Sequence, residues 1–160
     1  IQQVKPDVRS LGELSYDEWS RLRFTITDPV IRKRVEHVIS ENERVIQATQ
    51  SLAKNDLQTF GELMQKSHES LRDLYEVTGK ELDVLFEAAC QVQGCIGSRM
   101  TGAGFGGCSI SLVAGDQVEE FKETVTRVYK EKTGLTPTFY VCEIGDGAKE
   151  MEGEEIAWPF

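Results

Sequence analysis

Up to Gly94, hydrophobic and polar residues follow the spacing of amphipathic helices. The pattern Ser15-x-x-Glu18 is typical of a helix start, and Asp28 followed by Pro29 predicts the start of a second, longer helix. In this longer helix apolar residues recur at steps of three, four and seven, at Ile31, Val35, Val38, Val45 and Leu52, with Ile39 and Ile46 beside them. These steps predict one continuous apolar stripe along the helix.

The same spacing predicts two further helices. The first follows Asn55-Asp56, stops near Gly79 and has one face made of Phe60, Leu63, Met64, Ser67, Leu71 and Leu74. The pattern Thr78-x-x-Glu81 predicts a capping box at the start of the next helix. That helix ends at Gly94, and its apolar stripe consists of Leu82, Leu85, Phe86, Ala89 and Val92. We expect the three helices to pack as antiparallel neighbours, because short turns join them.

After Gly94 the pattern changes to an alternation of apolar and small polar residues. It predicts a half-buried strand at 108–113, a second clear strand at 138–144 and a shorter one at 96–100. A helix is predicted from Asp116 to Gly134, with an apolar face made of Val118, Phe121, Val125 and Val128. This order of elements predicts an α+β fold, in which helices pack on one face of a mostly antiparallel sheet.

Charge and composition argue against several classes of function. The net charge of −9 at pH 7 disfavours a nucleic-acid partner, which needs a basic patch. No apolar stretch is long enough to predict a membrane span. The chain begins with Ile1 rather than Met, which we interpret as the start of a fragment or a processed chain. Four cysteines lack C-x-x-C and metal-ligand spacing, so we expect reduced thiols in a cytoplasmic protein: Cys90, Cys95, Cys108 and Cys142.

The strongest chemical signal is the run 102–107, in which four of six residues are glycine: Gly102, Ala103, Gly104, Phe105, Gly106 and Gly107. Glycine at this density lets backbone N–H groups point outward together and lets a ligand approach the main chain closely. Phosphate is the commonest ligand of such a loop. For this pattern alone, a tight hairpin loop without any ligand is the alternative interpretation.

Three familiar nucleotide-binding loops do not fit this run. A dinucleotide-binding loop leads from a strand into a helix, whereas a strand is predicted after Gly107. A Walker A loop needs a lysine, and none lies between Arg99 and Lys122. A protein-kinase glycine loop does lie between strands, but no H-R-D or D-F-G motif follows it here. The run is therefore a phosphate-facing candidate from a different kinase architecture.

The residues around this run resemble a known family. The stretch 97–108, Gly-Ser-Arg-Met-Thr-Gly-Ala-Gly-Phe-Gly-Gly-Cys, is similar to the third conserved motif of galactokinases, in the GHMP kinase superfamily. Residues 28–45, 64–78 and 138–142 resemble the long helix, the next helix and the last strand of that family. The resemblance covers most of the chain from residue 8 to residue 150. It implies a GHMP kinase C-terminal domain with a ferredoxin-like arrangement.

The resemblance implies the activity and the partners. Galactokinases use ATP and Mg²⁺ to phosphorylate the C1 hydroxyl of galactose, and the expected partners are galactose, ATP and an N-terminal lobe. The catalytic base, the sugar-binding motif and the ATP phosphate loop of that family lie earlier in the polypeptide and have no match here. We therefore expect no catalytic or metal-binding residue in this chain and no activity from it alone. The expected parts are a lead-in at 1–14, the GHMP kinase C-terminal domain at 15–147 and an acidic tail at 148–160.

Two other hypotheses stay open. The chain could belong to a galactokinase-like regulator that binds sugar and ATP but signals through a protein partner. It could also be a stand-alone interaction domain whose loop binds no ligand. Beside the loop, Arg99 could offset phosphoryl charge or form a structural ion pair. Ser98 and Thr101 could donate to a ligand or bond the backbone of the loop.

Two of the predicted helices carry further polar candidates. Asp73 and Glu76 are three residues apart, and we interpret them as a solvated face rather than a metal site. Two histidines have a charged residue four positions further on, and we interpret both as surface pairs, with a general base as the alternative: His68 with Arg72 and His37 with Glu41.

Overall fold

A computed structural model describes residues 1–143 and 145. Its helices and strands are α1 (Tyr16–Leu22), α2 (Pro29–Ala53), α3 (Leu57–Ser70), α4 (Lys80–Cys90), β1 (Cys95–Thr101), β2 (Cys108–Val113) and α5 (Val118–Thr133). Short 3₁₀ turns lie at Leu11–Glu13, Arg23–Thr25 and Gly115–Gln117, and a π-helical turn at Leu71–Tyr75 continues α3. Helices together with an antiparallel pair of strands confirm the predicted α+β class.

The first helix starts are formed by the side chains that the sequence suggests. The Ser15 hydroxyl accepts from the Glu18 N–H, and the Glu18 carboxylate accepts from the Ser15 N–H, which completes the capping box. Asp28 accepts from the N–H groups of Val30 and Ile31 at 2.8 and 3.1 Å. These caps satisfy backbone donors that have no partner inside the helix.

The capping box predicted for α4 is wrong. The residue before the helix is Gly79, and no side chain caps the first turn. Thr78 is buried, and its carbonyl accepts from the N–H of Gly106 at 3.3 Å. Gly79, which has no side chain to accept a hydrogen bond, is the N-cap in place of Thr78, and the first turn of α4 keeps its N–H groups without a side-chain acceptor.

The sheet is a hairpin of β1 and β2, paired from Cys95 opposite Val113 to Thr101 opposite Cys108, with a register shift between Cys95 and Gly97. Inside it, the hydroxyls of Ser98 and Ser111 lie 2.8 Å apart. α3 and α4 pack against β1, α2 packs along α3, and α5 packs along α4. The expected antiparallel packing therefore holds for α2 and α3, whereas α4 has α5 as its main helical neighbour.

Three apolar clusters hold these elements together. One joins α4 to α5 through Ala88, Ala89, Val92, Phe121, Val125 and Val128. A second joins the first residues of the chain to α1 and α2 through Val8, Leu14, Trp19, Val35 and Ile39. A third lies under the glycine loop and consists of Leu71, Leu82 and Met100. Burial of these side chains is the main source of stability in a domain of this size.

The continuous apolar stripe predicted on α2 is wrong at its ends. Val35 and Ile39 are buried, but four members of the stripe are between 50% and 59% exposed: Ile31, Val45, Ile46 and Leu52. The spacing identified the helix correctly, because α2 spans the predicted range. It overstated burial, because no described residue covers the two ends of that face.

The strand predicted at 138–144 is also wrong over the described part of that range. Residues 138–143 form no strand, and Ile144 lies outside the described residues. Phe139 packs edge-on against Phe121, with ring centroids 6.3 Å apart, while Tyr140 is exposed. A groove of about 1210 Å³ is lined by β2, α5 and this segment. Residues with high β-propensity form a strand only when a neighbouring strand offers backbone hydrogen-bond partners. Here the groove lies where such a neighbouring strand would have to be.

No helix in the described part of the chain is long and apolar enough to cross a membrane. The acidic tail expected at 148–160 lies outside the described residues.

α3 and β1 approach each other at backbone contact. A Cβ placed on Gly61 of α3 would lie 1.9 Å from the carbonyl oxygen of Ile96. A Cβ on Gly97 of β1 would lie 2.5 Å from the Cα of Gly61. Both distances are shorter than any real Cβ contact, so only glycine allows this packing.

We expect Gly61→Ala to destabilise the chain by about 1–3 kcal/mol, because the new methyl group must push α3 away from β1. Alanine normally stabilises a helix by up to about 1 kcal/mol relative to glycine, so a net loss would isolate the effect of packing. Urea denaturation measures the change. Gly12→Ala is the control, since its Cβ would meet only ordinary contacts at 3.6 Å or more. A stabilised Gly61→Ala variant would contradict the contact.

Candidate functional site

The glycine-rich run forms the loop that joins β1 to β2, between Thr101 and Cys108. Four of its residues have positive φ: 77° at Gly102, 87° at Gly104, 56° at Phe105 and 90° at Gly106. Glycine adopts this region freely, whereas Phe105 is strained there. The Phe105 side chain is 77% exposed, so packing of its ring does not explain the conformation. Hydrogen bonds from the backbone hold it instead.

Two backbone hydrogen bonds attach the loop to the segment before α4. The N–H of Phe105 donates to the carbonyl of Val77 at 2.8 Å, and the N–H of Gly106 donates to that of Thr78. A Cβ on Gly104 would lie 2.0 Å from the Val77 carbonyl oxygen. Gly104 is therefore the residue that lets the loop lie against this segment.

The other N–H groups of the loop are unused. Those of Gly102, Ala103, Gly104 and Gly107 donate to no acceptor among the described residues. The loop also lies beside the start of α4, because a Cβ on Gly79 would be 3.9 Å from the nitrogen of Gly106. A helix start carries positive partial charge, which adds to that of the loop donors. These donors favour an anion at the backbone, whereas the Glu81 carboxylate, 4.0 Å from where a Cβ on Gly106 would stand, acts against one.

Residues 77 and 78, whose carbonyls accept hydrogen bonds from the loop, are held in place by contacts of the turn that precedes them. The π-helical turn Leu71–Tyr75 ends at Glu76, whose φ of 60° is unusual for a residue other than glycine. Arg34 of α2 binds the Glu76 carboxylate and the Leu74 carbonyl, and Lys33 lies 3.5 Å from the same carboxylate. These contacts hold the turn that presents the Val77 and Thr78 carbonyls to the loop.

The three residues proposed to support the loop lie in different surroundings. Ser98 is fully buried and bonded to Ser111, so its hydroxyl stabilises the hairpin. Arg99 lies 3.5 Å from the Glu41 carboxylate and donates to the carbonyl of Met100, which is the structural ion pair considered from the sequence. Thr101 is exposed at the end of β1, next to the loop. Of the three, the structure brings only Thr101 to the loop as an exposed side chain.

The surface pair expected for His68 is wrong. His68 is fully buried, and its Nδ1 accepts from the backbone N–H of Met100 at 3.1 Å. Its Nε2 lies 3.3 Å from a carboxylate oxygen of Asp83, and its ring stacks on Phe86 with centroids 4.0 Å apart. Burial lowers the pKa of His68; Asp83 acts in the opposite sense, and the charges of Arg72 and Arg99 lower the pKa further.

The surface pair expected for His37 is wrong as well. His37 is buried, its Nδ1 lies 2.9 Å from the Ser70 hydroxyl, and its ring stacks on Tyr75. Burial lowers the pKa of His37, and the nearby Glu41 raises it in part. Glu41 itself binds Ser67, Arg44 and Arg99; burial would raise its pKa, but these partners lower it below the ordinary value. The sequence spacing was correct, but it does not reveal which face of a helix is covered.

Asp73 and Glu76 lie at the surface, as expected, and each has cationic neighbours: Arg72 for Asp73, and Arg34 and Lys33 for Glu76. Among the described residues, no three histidine, cysteine or acidic side chains converge as metal ligands. Sequence reasoning missed Asp83 and the two carbonyls that anchor the loop. Asp83 is four residues after Gly79 on a predicted helix, and only knowledge of which strand packs on that helix would have identified it.

A glycine loop with unused N–H groups joins the two strands of an α+β domain, beside the start of a helix. The family model for the C-terminal domain of GHMP kinases matches residues 48–131, and the chain belongs to that family. The resemblance to galactokinases is confirmed by individual relatives. The galactokinase of Clostridium acetobutylicum is 52% identical over 94% of this chain and 39% of its own length. That of Lactiplantibacillus plantarum is 51% identical over 93% of the chain and 38% of its own length.

A solved structure agrees with the sequence comparison. The crystal structure of Lactococcus lactis galactokinase complexed with galactose matches with a TM-score of 0.88 and 46% identity. The match covers 94% of this chain and 39% of that protein. The chain therefore spans about two-fifths of the length of the relatives that it matches.

We expect the stability of the chain to fall as the pH is lowered from about 7.5 to 5.5. Both of its histidines have a lowered pKa in the folded state, so the unfolded chain takes up protons first, around its ordinary pKa of about 6.5. The loss of stability begins as the pH falls to near the unfolded pKa and is complete once the pH lies below the folded pKa values. Urea unfolding at a series of pH values measures it. The double variant His37→Asn/His68→Asn should show a flatter profile, and an equally steep profile in that variant would refute the assignment.

Proposed function

We propose that this chain is the C-terminal lobe of a galactokinase, which transfers the terminal phosphoryl group of ATP to the C1 hydroxyl of galactose in the cytoplasm. The galactokinases it resembles support the reaction class, and they extend well beyond the part that this chain covers. In this proposal residues 15–147 form the C-terminal domain, 1–14 lead in from the N-terminal lobe and 148–160 form a tail.

The glycine loop is the observation that carries the proposal. Four loop N–H groups have no partner among the described residues, and the space where a side chain on Gly102 would stand is open. Donors fixed in advance towards an anion stabilise transferred phosphoryl charge without reorganising during the reaction. We assign to this loop the role of facing the phosphates or the sugar in the closed cleft, with Thr101 as an adjacent hydroxyl.

The rest of the chemistry is assigned to the N-terminal lobe. Phosphoryl transfer also needs a positioned nucleophile and Mg²⁺. Arg99 is held by Glu41 at the edge of the groove, and it helps to fix β1 rather than to bind phosphate.

The direct test is an assay of ATP-dependent galactose phosphorylation by the full-length protein and by the 160-residue chain alone. We expect turnover from the full-length protein and none from the chain, because the base and the ATP loop lie outside it. Turnover by the isolated chain would refute this division of labour. A full-length protein that binds ATP and galactose without turnover would instead favour the regulator.

We expect Gly104→Ala in the full-length protein to lower kcat/KM for ATP by about 100-fold, because the new methyl group would displace the loop from the Val77 carbonyl by an ångström or more. Steady-state kinetics measures the effect, with circular dichroism to confirm folding. Gly115→Ala is the matched control: its φ is not positive, and a Cβ there would meet nothing within 4 Å. Equal activity of the two variants would contradict the role of the loop.

A further inference from the structure

His68 joins three elements next to the glycine loop. It belongs to α3, accepts the Met100 N–H of β1 and lies against Asp83 and Phe86 of α4. Met100 is two residues before Gly102, where the loop begins. The sheet has no third strand in the described residues, and the ring nitrogen of His68 takes the acceptor position that such a strand would offer to this N–H.

Two contacts of the ring nitrogens together set the tautomer of His68. A ring nitrogen that accepts an N–H carries no proton, so the neutral ring has its proton on Nε2. Nε2 faces the Asp83 carboxylate at 3.3 Å, longer than an ideal hydrogen bond, and among the described residues neither atom has a closer hydrogen-bond partner. A carboxylate can only accept, so Asp83 favours this tautomer. An asparagine there can donate as well as accept, so it would remove this preference.

We propose that His68 and Asp83 are positioning residues for the glycine loop: Asp83 keeps the proton of His68 on Nε2, and His68 holds the end of β1 from which the loop starts. Neither side chain touches substrate; each acts through the backbone of Met100. The inference rests on the proposed function, because it assumes that the loop faces the phosphates. It adds a pair, a buried histidine and a half-buried aspartate, that determines where the donors of the loop stand.

The first test is the tautomer itself. Long-range ¹⁵N–¹H spectra of the full-length protein, labelled at histidine, distinguish a proton on Nε2 from one on Nδ1. The signals of His68 are those that disappear in the His68→Asn variant. We expect the Nε2–H form alone in the unsubstituted protein and a mixture with the Nδ1–H form in Asp83→Asn. An Nδ1–H ring in the unsubstituted protein would overturn the proposal.

The second test measures the consequence for the reaction. We expect Asp83→Asn and His68→Leu to lower kcat/KM for ATP by about 10- to 100-fold, and to leave the KM for galactose unchanged. His68→Asn should recover most of that loss, because its side-chain oxygen can stand where Nδ1 stood and accept the Met100 N–H. A merely structural role of the ring would predict equal losses in both His68 variants, and that result would overturn the proposal.

Asp116→Asn is the matched control for Asp83→Asn. Asp116 is exposed in the 3₁₀ turn after β2, at the end of the hairpin opposite the glycine loop. It should retain full activity. If Asp83→Asn does not fold, the tautomer of the unsubstituted protein and the two His68 variants still decide the matter. If the unsubstituted protein does not phosphorylate galactose, the proposed function fails, whereas the spectra still test the His68–Asp83 pair.

Discussion

The backbone contact between α3 and β1 is the constraint on which the rest of the structure depends. Gly61 and Gly97 let the helix lie directly against the strand, with no side chain between them at that point. About two helical turns further along α3, the same approach brings His68 to the Met100 N–H. With a larger residue at either glycine, the helix would stand off from β1 and this contact would open. The close approach therefore sets the position of the end of β1.

Two sets of contacts, or routes, connect this packing to the glycine loop. One runs through His68 to β1, and the other through the π-helical turn and Glu76 to the carbonyls of Val77 and Thr78. Where they meet the loop, both routes end on backbone atoms: the Met100 N–H in one and the two carbonyls in the other. The loop N–H groups that remain are those that neither route consumes, which is why they are available to a ligand. A site of this kind is supported from rigid elements rather than by its own contacts.

Much of this fold follows from local patterns. Asp28-Pro29, Ser15-x-x-Glu18 and the alternation at 108–113 gave the correct elements, because caps and periodicity depend on neighbouring residues only. The loop was also identified from composition. Most of the failures share one cause: burial of His68, exposure of the ends of α2 and the absence of pairing at 138–143 all depend on which distant segment lies opposite. The capping box at Thr78 failed for a local reason, since Gly79, which has no side chain to cap with, directly precedes the helix.

The π-helical turn restricts how the sequence can change in length. A π-turn adds a residue to the helical repeat, so the number of residues from His68 to Thr78 determines both which face the histidine presents and where the two carbonyls point. Exposed positions such as Asp73 can change identity without disturbing that count. An insertion or deletion of one residue would rotate one end against the other by about 100°. Among functional homologues, this stretch should therefore vary in composition while its length stays fixed.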